Sequence, residues 1–390
     1  MKFVLAAYGS RGDVEPFAAV GRELLRRGHD VCMAFPPNLL GFVESAGLAA
    51  VAFGSDPPWQ GDGDFVGNAD IPNPIVRAMT DVTQHITAAW AEWGDTLLTL
   101  GNGADLILTG KGEQGLAANV AEYYDIPPAT LHFFPDTQSR PVGMIGRVTK
   151  EAEDAQRRAL GLPEATGSAL EPLEIQAYYG LCFPDVAADW SARGRRPFVG
   201  ALTLELPTDA DDEVRSWIVE GTPPIYFGFG SNAQLPSPAE TVAVISAAYA
   251  RLGERALFCS GASDFVDIPH FDNVKIVDSV NHAAIFPACR AVVHQGGAGT
   301  TAAGLRAGIP TLVLSFWLED QPLWASAVER LKVGSGRAFS ASTLDSLVAD
   351  LRSILTPEYL TRAREVAAQM TTAAESASSA ADLLEDAARR

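Results

Sequence analysis

The chain has few cysteines, few cations and no long apolar run, and each shortage excludes something. Its four cysteines, Cys32, Cys182, Cys259 and Cys289, lie far apart in apolar settings, with no C-x-x-C among them. Neither a zinc site nor a disulfide scaffold is indicated, and a reducing cytoplasm fits best. Lys and Arg number 29 against 48 Asp and Glu, a formal charge of −19. That balance argues against nucleic acid as a partner and against broad adsorption to anionic lipid. A local basic patch could still make peripheral contact with the inner face of a membrane. No apolar stretch reaches the roughly 18 residues that a membrane span requires. The start, Met1 to Tyr8, is too short for a secretory signal and runs into Gly9-Ser10-Arg11-Gly12-Asp13, so it reads as a buried strand. The glycine turn over 294–301 is neither a Walker A loop nor a G-x-G-x-x-G fingerprint.

What remains is a globular composition, 47% hydrophobic and 20% charged over 390 residues, enough for two or three domains. Apolar runs and helical periods alternate from the first residues. Strands are expected near 3–8, 31–35, 49–53, 105–109 and 129–133. Helices are expected from Pro16 to Arg27, over 38–46, 74–100 and 113–124, and from Thr149 to Leu160. Pro16 reads as the first helical position, which makes Glu15 the cap. This alternation predicts an α/β protein with a parallel, doubly wound sheet, whose ligands bind beyond the carboxyl ends of the strands. Arg11, Asp13, Glu113 and Phe134 fall at such ends. Segment 54–73 reads as a long loop. The Arg147, Lys150, Arg157 and Arg158 side chains on the fifth helix suit a solvated face with internal ion pairs, or an acceptor- or membrane-facing patch.

A domain boundary is expected near Gly200, and a second α/β series starts at Pro224. Its strands are expected at 225–230, 256–260, 274–277, 291–294 and 311–314, with terminal helices over 343–354, 357–370 and 375–388. Two facing Rossmann-like domains with a cleft between them follow: residues 1–200 for an acceptor, 201–374 for a nucleotide, and a last helix, 375–390, packing back toward the first domain.

One stretch of the second series carries chemistry. Ala291-Val292-Val293-His294-Gln295-Gly296-Gly297-Ala298-Gly299-Thr300-Thr301 is a short strand, a histidine, a glycine turn and the approach to a helix over Ala302–Ala307. Glycines let backbone approach a ligand, and a helix start offers N–H groups and a positive dipole end. Together they suit a phosphate or diphosphate, whose oxygen His294 could hydrogen-bond or neutralise. A glycine turn that serves packing alone is the alternative. Ser231, after Gly228-Phe229-Gly230, could add a hydroxyl donor. Asp320 and Gln321 could bind vicinal sugar hydroxyls, or form a helix cap. Asp13 could take a proton from a hydroxyl as a general base, or merely complement a helix dipole.

Four motifs in this order, Gly9 to Pro16, Phe227 to Ser231, His294 to Thr300 and Asp320-Gln321, resemble family-one glycosyltransferases of the GT-B fold. The resemblance covers nearly the whole chain and is nearest to the actinobacterial branch acting on glycopeptide antibiotics and mycobacterial glycolipids. It implies Asp13 as catalytic base. It also implies Ser231, His294, Gly296, Gly297, Gly299 and Thr300 at the diphosphate, Val280 at the pyrimidine, and Asp320 with Gln321 at the sugar. Arg11, Glu113 and Phe134 would meet the acceptor. The implied reaction is metal-independent, without a cofactor, and inverting. A hexose or deoxyhexose passes from a UDP- or dTDP-sugar to a hydroxyl of a hydrophobic acceptor. Two departures stand out. Position 302, eight after the histidine, is Ala302 where plant relatives have a ribose-binding glutamate. The segment from Phe134 to Thr149 is short beside the glycolipid branch. A sugar-nucleotide 2-epimerase of the same fold, or a non-catalytic sugar-nucleotide binder, are the rival readings.

Overall fold

The structure, a computed structural model, describes residues 1–56, 89–135, 144–164, 172–193, 196–230, 238–261, 273–316 and 320–390. Ser231, most of the 54–73 loop, the first half of the 74–100 helix and the short stretch 136–143 lie outside the described residues. The chain forms two compact units. The first comprises Met1–Gly180, Pro184–Leu204 and Ala374–Arg390, and the second comprises Leu181–Phe183 and Glu205–Ala373.

Each unit is built on one six-stranded sheet, and every pairing is parallel. The first sheet runs β3-β2-β1-β4-β5-β6. Its strands are β1 (Lys2–Ala6), β2 (Asp30–Phe35), β3 (Ala50–Ala52), β4 (Leu106–Gly110), β5 (Pro128–His132) and β6 (Leu173–Gln176). The second runs β12-β11-β10-β7-β8-β9. It contains β7 (Ile225–Gly228), β8 (Ala256–Cys259), β9 (Val274–Val277), β10 (Ala291–His294), β11 (Thr311–Ser315) and β12 (Gly334–Ala338). Both have the Rossmann order, with the first and fourth strands adjacent at the sheet's centre. The winding reverses there, so the loops after β1 and β4, and those after β7 and β10, open a crevice at the carboxyl edge of each sheet.

Strand alternation explains how these sheets are held. In β7, Ile225 and Phe227 enter one cluster with Val293, Leu312 and Tyr249, while Tyr226 enters the cluster on the opposite face with Val292, Ile285 and Phe286. In the first unit, Val4, Ala6 and Ile107 pack against Trp90, Trp93 and Leu97 from a helix over 89–101, here α3. Each fully buried Phe or Leu of this kind contributes roughly 1.5–3 kcal/mol.

Several elements differ from the sequence expectation. The first helix, α1, is Arg11–Arg26, so Pro16 lies inside it and Glu15 is not its cap. Ser10 is the N-cap, because its side chain accepts the Gly12 N–H. Glu15 instead accepts Arg11 Nε at 2.9 Å and the Leu204 N–H at 3.0 Å. The 38–46 segment is a short 3-10 turn followed by α2 (Leu40–Ser45). On the far edge of the sheet α4 (Gln114–Tyr124) meets α5 (Met144–Ala159). Arg157 of α5 donates to Glu122, Asn119 and the Pro163 carbonyl at 2.7–3.0 Å. That guanidinium is therefore a bolt between two helices, not part of an open basic face. Lys150 and Asp154 make the expected i,i+4 pair.

Next come α6 (Pro184–Arg193) and α7 (Asp211–Val219), which the periodicity did not single out. The second unit continues with α8 (Pro238–Leu252), α9 (His282–Ile285), α10 (Ala298–Ala307), α11 (Asp320–Leu331), α12 (Leu344–Ile354) and α13 (Pro357–Ala367). The last helix, α14 (Ala373–Ala388), belongs to the first unit. Arg27, at the end of α1, donates to Asp382 at 2.6 Å and to Glu385 at 3.0 Å, and His29 lies 3.0 Å from Glu385. Among the described residues no helix is long and apolar enough to cross a membrane.

Candidate active site

The second unit's central crevice holds the glycine turn that the sequence singled out. Strand β10 ends at His294, and Gly296 turns the chain with φ +103°. Helix α10 begins at Ala298, four residues earlier than the sequence suggested. Gly297 is its N-cap and supplies no side chain to satisfy the first N–H groups. Gly299 and Thr300 are thus within the first turn, where the dipole is strongest. A Cβ built at Gly299 would meet nothing within 4 Å, so this side of the turn is open. At Gly296 a Cβ would instead press on the Gln321 backbone and Val313, each about 3.0 Å away. This contact fixes the turn against the start of α11.

His294 is fully buried, and its role is narrower than expected. Nδ1 accepts the Gly296 N–H at 3.0 Å, which places the ring proton on Nε2. Nε2 has no partner among the described residues. Burial first, then nearby His282, pushes the ring's pKa down to about 3. His294 is therefore a neutral hydrogen-bond donor at physiological pH.

The other candidate residues of the second unit follow its strands at the same carboxyl edge. Val280 is buried. Its neighbour Asn281 gives its N–H to Asp211 at 2.8 Å, and caps α9 by accepting the Ala283 N–H. Asp211 also binds Thr208, through its N–H and hydroxyl at 2.9 Å each. Asp320 opens α11 as its first-turn acid, and Gln321 is buried beside it. The Gln321 carbonyl oxygen accepts the Phe316 N–H at 2.8 Å, so a ligand hydroxyl is left the amide NH2 end. Burial pushes the Cys182, Cys259 and Cys289 thiols up to about 12, so they are inert as nucleophiles.

Sequence reasoning passed over Gln295 and Asp211. The amide nitrogen of Gln295 occupies the space a Cβ would need at Gly230 and at Gly297, while its carbonyl oxygen is buried without a partner. Its place inside the His-Gln-Gly-Gly string was the available signal. Asp211 had none, since its Asn281 partner lies 70 residues away.

In the first unit, Asp13 and Glu113 come from the loops after β1 and β4, the two central strands. Asp13 is the third residue of α1 and completes a capping box. Its Oδ2 accepts the Ser10 N–H at 2.6 Å and the Ser10 hydroxyl at 2.8 Å. Burial nonetheless raises its carboxyl above the ordinary range, with the Ser10 bonds opposing the rise. The carboxylate is both a cap and a basic group. Glu113 is 4% exposed. Burial pushes it up to about 8; the Asp13 charge adds to this, and backbone N–H groups, including those of Tyr8 and Gly110, oppose it.

Arg11 is not part of this group. It pairs with Glu15 and lies 4.5 Å over the Phe42 ring. Phe134 packs edge-on against Phe133 and lines a small depression with Lys111, Leu131 and His132 at the ends of β4 and β5.

Gly9 makes room for Asp13. Its φ is +147°, and an added Cβ would fall 2.3 Å from Asp13 Oδ2. Gly9→Ala is expected to displace that carboxylate and, if Asp13 acts in the chemistry, to lower turnover by about 10-fold or more. Nucleotide affinity, read by calorimetry, should stay as it was; unchanged turnover would show that Asp13 need not sit where the glycine lets it.

Two Rossmann-like units, one with a glycine turn at a helix start and the other with a pair of carboxylates at its switch point, place the chain among two-domain α/β proteins. The comparisons name the family. Residues 3–93 match the glycosyltransferase family 28 N-terminal domain, and residues 256–386 match the erythromycin biosynthesis protein CIII-like C-terminal domain. A Mycobacterium tuberculosis (strain H37Rv) protein named as a glycosyltransferase is 57% identical over 418 aligned positions, covering all of both chains. The vancomycin aglycone glucosyltransferase of Amycolatopsis orientalis is 31% identical across 100% of this chain and 98% of its own. The calicheamicin glycosyltransferase CalG4 superposes with a TM-score of 0.75 over 100% of this chain and 98% of that one, at 18% identity. The chain belongs to the GT-B glycosyltransferases, in the actinobacterial branch that includes the antibiotic glycosyltransferases.

Proposed function

We propose that the protein is an inverting, metal-independent hexosyltransferase. It moves a hexose or deoxyhexose from a UDP- or dTDP-sugar to a hydroxyl of a hydrophobic acceptor, a glycolipid, lipopeptide or polyketide-like product. The observation that carries this reading is the pairing of an uncapped α10 start with a neutral, buried His294 donor. Both favour an anion whose charge grows as it leaves. Asp13 takes the proton of the acceptor hydroxyl. The oxygen forms a bond to the anomeric carbon, and the bond from that carbon to the diphosphate breaks on the opposite face. The nucleoside diphosphate leaves with the electron pair, held by the α10 N–H groups, the His294 Nε2–H and the Ser231 hydroxyl. Asp320 and the Gln321 NH2 orient the sugar. Val280 backbone reads the base.

Support for a pyrimidine nucleotide comes from a related fold, VinC, solved in complex with dTDP. Its TM-score here is 0.66 at 17% identity, with full coverage of both chains. A metal is not required by this scheme, because oriented N–H groups take the place a divalent cation has in other transferases.

The test is a matrix of UDP- and dTDP-sugars against apolar glycolipid, lipopeptide and polyketide acceptors, read by mass spectrometry, with and without EDTA. Transfer should occur for at least one pair, survive EDTA and invert the anomeric centre by NMR. A donor epimerised in the absence of any acceptor would overturn the reading in favour of an epimerase. Donor binding with no transfer across the matrix would overturn it in favour of a binder.

A further inference from the structure

We propose that Glu113 is a positioning residue that tunes the base: it and Asp13 form a carboxylate pair that shares a single negative charge at neutral pH. The inference rests on Asp13 acting as proton acceptor, and adds what sets its strength. The geometry comes from the switch point of the first sheet. Strands β1 and β4 are adjacent and parallel, with Ala6 opposite Thr109. Each is followed by a glycine that leaves room for one carboxylate. A Cβ at Gly9 would meet Asp13 Oδ2 at 2.3 Å, and a Cβ at Gly110 would meet Glu113 Oε2 at 2.8 Å. The Tyr8 and Gly110 backbones favour the charged form of Glu113, and the Asp13 charge opposes it. The two acids thus lie at the ends of neighbouring central strands, within each other's field.

Two like charges placed together in a site of low polarity cannot both form cheaply, so the pair titrates as a unit. Glu113 is the more buried and keeps the proton, while Asp13 carries the charge. Other charged groups nearby have assignments of their own. Arg11 pairs with Glu15, and His132 lies 3.4 Å from Glu174. Glu153 of α5 packs against Gly115 of α4, Lys111 lies in the loop after β4, and the Tyr8 hydroxyl bonds Ser55 near Asp56 and Glu92. The Glu113 carboxyl ionises near 8, so about a tenth of the pairs are doubly charged at pH 7, and that fraction grows with pH. In the doubly charged pair Asp13 is the stronger base.

The experiment has two readouts. The first follows kcat from pH 6 to 9.5 for the wild type and for Glu113→Gln, which is neutral throughout. The wild-type rate should climb with a midpoint near 8. The variant should lack that limb, stay within about twofold of the wild type at pH 7 and lose about threefold to tenfold in kcat at pH 9, with its donor KM unchanged. The second uses no turnover: infrared difference spectra of the protonated carboxyl C=O band, titrated over the same range. The band lost near pH 8 should be absent in Glu113→Gln and should titrate at lower pH in Asp13→Asn. A rate limb that persists in Glu113→Gln, or a band whose midpoint does not move in Asp13→Asn, overturns the pair. Should Glu113→Gln fail to fold, the Asp13→Asn spectrum alone decides. Were Asp13 not the base, Asp13→Asn would retain transfer while the spectral coupling stood, so the two failures are distinguishable.

Discussion

Asp13→Asn is expected to lower kcat by about 10²-fold or more while nucleotide-sugar affinity stays within about twofold. The substitution is nearly isosteric, and its effect divides the two roles the structure gives this carboxylate. As a cap, Asp13 accepts two bonds from Ser10, the N–H at 2.6 Å and the hydroxyl at 2.8 Å. The asparagine carbonyl oxygen can accept both, so α1 keeps its capping box. As a base, it needs a lone pair basic enough to take a hydroxyl proton, and an amide has none. Burial makes the native carboxyl a better base than an exposed aspartate, which is why the loss should be large. Measuring kcat and thermal stability of the same preparation separates the two. A protein that melts several degrees lower but transfers sugar normally would leave Asp13 with a purely structural role.

His294→Ala is expected to weaken nucleoside diphosphate binding by roughly 10- to 100-fold, the scale of one lost hydrogen bond to a charged group. The loss in kcat should exceed the loss in affinity, because charge on the diphosphate is greatest as the glycosidic bond breaks. His294→Gln, which keeps an N–H donor, should recover part of both. The pH dependence has a definite sign. With its pKa held down to about 3, His294 is neutral from pH 5 upward, so donor affinity should show no histidine titration between 5 and 8 attributable to this ring. If calorimetry found affinity rising as pH fell through 6.5 in the wild type but not in His294→Ala, the ring would be acting as a cation and the neutral-donor account would be wrong.

The parts legible from sequence are those whose physics is local. The His294 to Thr300 turn announces itself because glycine, a strand end and a helix start are adjacent in the chain. Its start was misplaced because Gly297 and Gly299 read as loop, although Gly297 is an extended N-cap and Gly299 is helical. The Ser10-Arg11-Gly12-Asp13 spacing is itself a capping-box signal. Pro16 obscured it, since proline is more often found at a first turn than where it lies in α1. Strand β12, Gly334-Ser335-Gly336-Arg337-Ala338, has no apolar alternation to reveal it. Its glycines are set from outside: a Cβ at Gly334 would strike the Thr311 carbonyl, and one at Gly336 would meet Ala325 at 2.7 Å. Burial of Glu113 and the Asp211 brace on Asn281 are likewise products of packing between distant segments, which no local pattern records.

The C-terminal helix has a consequence for how the chain is made. The second unit is essentially one continuous stretch, Glu205–Ala373, apart from three residues, and most of it has emerged before α14 is synthesised. The first unit is not continuous. Arg27 and His29 near its beginning wait for Asp382 and Glu385, more than 350 residues later in translation. The unit whose strands are made first is therefore completed only after the second unit, when α14 is added.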